Sequence, residues 1–125
     1  MTTALSASTS LPTDPKTGLT LPLTRSLALP ELAKHRAMIG IELEVLAKKF
    51  DRFGWERDAG TPVHDRMIRD WMDTLQDYPL DEVRAACRAC VIDDPRRMPN
   101  EGMVLAQIVD ARRRHVAALP KPREA

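Results

Sequence analysis

At 125 residues the chain has room for one domain. Apolar residues make up 43% and aromatics only 4%, so the core must be modest and built from Leu, Ile, Val and Met around a few rings. A net charge of +1 excludes a chain-wide basic field for nucleic acid. No apolar run approaches the ~20 residues of a membrane span. The N-terminus lacks the charged-then-apolar order of a secretory leader, and two cysteines do not make a disulfide framework. These features point to a cytoplasmic protein with no membrane contact.

Residues 1–29 are rich in Ser, Thr and Pro, with prolines at 12, 15 and 22 that block a long helix. A flexible N-terminal arm is expected there. A helical domain is expected over 30–117, followed by a disordered tail over 118–125. Pro30 opens the first long helix, where its missing N–H costs nothing. Leu32, Ile39, Leu43, Leu46, Phe50 and Phe53 then form one apolar stripe close to a heptad seam. Such a seam can bury against a second copy, so a homo-oligomer is one expectation. Gly54 is read as the end of this helix.

Thr61-Pro62 is a start signal, with Thr as N-cap and Pro at the first helical position. Val63, Met67, Ile68, Trp71, Met72 and Leu75 carry the stripe of the second helix. Tyr78-Pro79 closes it. A third helix starts at Leu80, with Asp81 and Glu82 in its first turn, and presents Val83, Ala86, Cys87, Cys90 and Val91 inward. Asp94-Pro95 ends it. Asn100 caps a fourth helix with Met103, Val104, Ile108 and Ala111 on its inner face. No stretch alternates in the manner of a strand. The expected fold is all-α, a small bundle of about four helices.

Cys87-Arg-Ala-Cys90 has metal-ligand spacing, but three is also core spacing on a helix. No second cysteine pair exists, and His35, His64 and His115 are scattered. Core packing is the expected role, with no metal and no cofactor. No phosphate loop, nucleophile elbow or His-x-x-x-His pair occurs, so no catalytic residues are assigned and an enzyme is not expected.

Charge is unevenly placed along the chain. Asp70, Asp73, Asp77, Asp81, Glu82, Asp93 and Asp94 outweigh Arg84 and Arg88, and then Arg96, Arg97, Arg112, Arg113, Arg114, Lys121 and Arg123 outweigh Glu101, Asp110 and Glu124. Arg112, Arg113 and Arg114 are consecutive and spread over about 200° of helix, so one face cannot use all three. With Arg96 and Arg97 they are candidates for an acidic partner or for phosphate. Placement near a helix C-terminus is the structural alternative. Trp55, in a loop after Gly54, either covers the core edge or contacts a partner. The candidate partner-binding residues are thus Arg96, Arg97, Arg112, Arg113, Arg114 and Trp55.

The segment Trp71-Met-Asp-Thr-Leu75-Gln-Asp77-Tyr78-Pro79-Leu80-Asp-Glu-Val83-Arg-Ala-Ala86, then Arg96-Arg97-Met98-Pro99-Asn100-Glu101 and Ile108, resembles the helical domain of phage-encoded replicative-helicase loaders, the loader-and-inhibitor family. The likeness spans about residues 39–112. Met98 stands where that family often has an aromatic. The resemblance implies a phage or prophage adaptor that binds a hexameric replicative DNA helicase, or another replication protein, and helps load or regulate it. Alternatives are a DNA-binding protein using the basic C-terminal helix, with weak DNA contact, and a small phage-encoded inhibitor of a host enzyme.

Overall fold

The computed structural model describes residues 11–50 and 59–121. Among them five helices form: α1 (Leu23–Ser26), α2 (Leu29–Lys49), α3 (Pro62–Leu75), α4 (Leu80–Asp93) and α5 (Glu101–Ala117). One isolated antiparallel bridge, Thr13 to Thr20, is the only extended pairing among the described residues. The all-α expectation holds, with five helices in place of four.

Local chemistry explains the helix ends. The Thr61 hydroxyl accepts from the His64 N–H at 3.2 Å, and the Asn100 side chain accepts from the Met103 N–H at 2.9 Å. Pro30 and Pro62 occupy the first turns of α2 and α3. In α4 the acids Asp81 and Glu82 sit in the first turn, and in α2 Lys48 and Lys49 sit in the last. Helix α2 closes as the Phe50 N–H donates to the Leu46 carbonyl at 3.0 Å. Phe53 and Gly54, expected at its end, lie outside the described residues.

Four helices meet at one core. Ile39, Leu43, Leu46 and Ala47 of α2 join Trp71 and Leu75 of α3, Val83, Ala86, Cys87 and Cys90 of α4, and Val104 and Ile108 of α5. Ile39, Leu43 and Leu46 of the α2 stripe are therefore spent inside the molecule, while Leu32 and Phe50 are only partly buried. Two inner-face expectations change. Val63 is exposed and His64 is buried in its place, because His64, Ile68, Trp71 and Leu75 follow the four-three-four rhythm of the inward face. Ala111 is exposed, and α5 turns Arg112 toward its neighbours instead.

The largest departure concerns the arm. Residues 11–29, expected to be flexible, are folded against the bundle; residues 1–10 lie outside the description. Asp14 starts a tight turn: its N–H donates to the Leu19 carbonyl at 2.8 Å, and the Gly18 N–H donates back to Asp14 at 2.7 Å. Gly18 has φ +74°, a conformation that glycine adopts without strain. Leu23 is 2% exposed, and burying such a side chain is worth about 2 kcal/mol. A helix of four residues cannot stand alone. Here α1 is held by Asp77: its carbonyl accepts from the Leu23 N–H at 3.2 Å, and its carboxylate accepts from the Thr24 N–H at 3.0 Å and from the Thr24 hydroxyl.

Candidate partner-binding surface

Arg112 is the hub of this docked segment, and its role is internal. Its Nε donates to Glu82 Oε1 at 2.7 Å and its Nη2 to Glu82 Oε2 at 2.8 Å, a two-pronged ion pair between α5 and α4. Nη1 donates to the Thr20 carbonyl at 3.1 Å, and the guanidinium lies 4.9 Å from the Tyr78 ring centre. A planar fork with five donors is what lets one side chain serve a carboxylate, a carbonyl and a ring together. One turn on, His115 Nε2 donates to the Thr17 carbonyl at 2.7 Å. Three of its five N–H groups are thus spent inside the molecule, and the side chain is only 19% exposed.

The remaining candidates have different fates. Arg114 pairs with Asp110 one turn earlier, an exposed pair of small worth. Arg113 is exposed with no ion pair among the described residues and lines a shallow depression with Leu105 and Val109. Arg96 and Arg97 are exposed in the turn before α5, where Asp94 accepts from both backbone N–H groups at 3.3 Å. From Glu101 to Arg112 the helix advances about 16 Å at ~1.5 Å per residue, so the two arginine groups stand at opposite ends of α5 and do not converge. Trp55 lies outside the described residues.

Part of the acid-then-base pattern is consumed by pairing across helices: Asp73, Glu82 and Arg112 are so engaged. Arg36 Nη1 reaches Asp73 at 2.9 Å and Gln76 at 2.7 Å. Arg84 Nε reaches Glu42 at 3.1 Å. With the Arg112–Glu82 pair, bases on α2, α4 and α5 neutralise acids on α2, α3 and α4. What reads along the sequence as a polarised surface is in part the electrostatic stitching of the bundle.

Cys87 and Cys90 are free thiols buried in the core. Burial pushes the Cys87 thiol up to about 12 and that of Cys90 upward as well. Both are held protonated at neutral pH, the state of a packing residue rather than a nucleophile. His35 is displaced the other way: its partial burial beside α3 lowers its pKa from 6.5, and nearby backbone carbonyls oppose the shift only in part.

Two surfaces that sequence reasoning missed are apolar and outward. On α2, Met38, Ile41 and Val45 recur at three and four residues on the side away from the core. Between α2 and α4 lies a groove lined by the apolar Val45, Leu46, Cys87 and Val91 and by the charged Glu42, Lys49, Arg84 and Arg88. From the sequence, Ile41 and Val45 are expected to widen the inner stripe; they are instead 49% and 43% exposed, because the core takes only the narrower Ile39, Leu43, Leu46 and Ala47 face. The groove had no sequence signal, since its two walls are some 40 positions apart. Comparison with family models, with curated proteins and with solved structures gives no match to this chain.

Proposed function

We propose that this chain works by binding another protein, as a replication adaptor that engages a replicative helicase and helps load or regulate it, with no chemistry of its own. The observation that carries the binding reading is the outer face of α2. Met38, Ile41 and Val45 are 37%, 49% and 43% exposed on a helix whose opposite face already fills the core. Large apolar side chains at coiled-coil spacing on this outer face suit recognition of a partner helix.

The helicase part of the proposal rests on the resemblance over Trp71–Ala86 and Arg96–Glu101. It is supported by the helix ends: α3 closes ahead of Tyr78-Pro79, and Asn100 caps α5 just after Met98-Pro99. The DNA-binding alternative draws on Arg112, Arg113 and Arg114, two of which are engaged with Glu82 and Asp110. That favours a protein partner. Among the described residues no helix is long and apolar enough to cross a membrane.

The test is capture from host lysate on the tagged chain, with nuclease in parallel and at low and high salt. Recovery of the replicative helicase after nuclease treatment is the expected result. Recovery of DNA alone, lost at high salt, would replace this reading with the DNA-binding one. Recovery of a different host enzyme whose activity falls on binding would replace it with the inhibitor reading.

A further inference from the structure

The groove between α2 and α4 combines two chemistries that rarely serve one ligand. Leu46, Cys87 and Val91 give it an apolar lining, and Val45 on its α2 side is 43% exposed. Its rim is cationic. Among the described residues Lys49, Arg84 and Arg88 share the groove with one acid, Glu42, whose side chain is only 14% exposed and already held by Arg84. Neither Lys49 nor Arg88 forms an ion pair among the described residues.

A nucleic-acid backbone would satisfy the rim and leave the floor wet. A purely apolar helix would cover the floor and leave two cations unpaired. An amphipathic helix bearing carboxylates beside its apolar stripe satisfies both. We propose that the α2–α4 groove binds an acidic amphipathic helix of a partner protein, with its apolar stripe over Val45 and Val91 and its carboxylates on Lys49 and Arg88. This deepens the adaptor reading and rests on it only in that the partner is a protein.

The test uses the full chain, labelled for NMR, and a synthetic helical peptide of alternating Leu and Glu faces. The isomer with Lys in place of Glu and a short DNA duplex are the comparisons. The expected result is amide shifts centred on Val45, Lys49, Arg88 and Val91, with affinity for the Glu peptide at least about tenfold above that for the Lys peptide at low salt. Lys49→Glu with Arg88→Glu should cost about tenfold or more, and Arg69→Glu with Arg113→Glu, the same charge change outside the groove, should cost nothing. Circular dichroism checks that each variant folds, and the peptide comparison on the unaltered chain stands without them.

Equal affinity for both peptides, or shifts centred elsewhere, would overturn the proposal. So would displacement of the Glu peptide by the duplex, which would assign the groove to nucleic acid. Self-association through the groove at NMR concentration would assign it to a second copy and overturn the proposal too. Failure of the two readings separates cleanly. Helicase captured equally by the wild type and the double charge reversal removes the groove and keeps the adaptor. Groove binding of the Glu peptide without helicase capture keeps the groove and removes the adaptor.

Discussion

Replacing Arg112 by Ala should destabilise the fold, because this residue ties three parts of the chain together. The Arg112 and Glu82 side chains are only 19% and 28% exposed. Loss of charged hydrogen bonds at such a site costs about 1.5–3 kcal/mol. The bond to the Thr20 carbonyl adds about 1 kcal/mol, and the contact with the Tyr78 ring about 0.5–1 kcal/mol. Glu82 keeps some access to water, so its orphaned carboxylate is partly rehydrated, and a net loss of about 2–3 kcal/mol is expected. For a chain of this size that corresponds to a fall in Tm of about 10 °C. Urea unfolding followed by circular dichroism measures the total. Amide exchange at Asp14, Leu21 and Leu23, whose N–H groups are bonded in the native state, reports on the docked segment. Protection there should fall further than in the core helices. Arg112→Lys keeps the charge and loses the fork, so it should land between the two. A loss below about 0.5 kcal/mol with exchange unchanged would refute the reasoning and return Arg112 to the free surface.

Three further outcomes follow from the same structure. Leu23→Ala should cost about 2–4 kcal/mol in urea unfolding, whereas Leu29→Ala, at a side chain 81% exposed, should stay within about 0.5 kcal/mol. Cys87, raised to about 12 from 9.0, favours the protonated thiol in the folded state. Its contribution to stability is complete below the unfolded value and is lost as pH rises toward about 12, so Cys87→Ala should flatten the alkaline limb of a stability–pH curve. His35 is lowered from 6.5 by burial, so its contribution is complete above that value and lost as pH falls below it. His35→Gln should therefore shrink the stability difference measured between about pH 7 and pH 5.

The bundle was legible where its causes are local. Thr61-Pro62 and Asn100 start helices through bonds to residues three positions on, and Trp71, Leu75, Val83 and Ile108 face inward by period alone. The docked segment was not legible as a whole. Its turn chemistry, Asp14-Pro15 through Gly18, was in the sequence, but its anchors are remote. Thr24 meets Asp77 across 53 positions and Arg112 meets Thr20 across 92. Composition alone counts such a stretch as too polar to bury, and one leucine in the right pocket outweighs that count. The three arginines show the same division. Their angular spread ruled out a shared face, but which of them would find a buried acid depended on how α4 and α5 pack. The α2–α4 groove depends wholly on which helices lie side by side.

Light scattering on a mixture of the chain with the purified replicative helicase of its host, after nuclease treatment, tests most directly whether this is a helicase-binding adaptor. At about 10 µM of each, a complex of micromolar affinity is largely formed. The account requires a single species heavier than the helicase hexamer by whole copies of this chain. Separate elution of the hexamer and the free chain would contradict it.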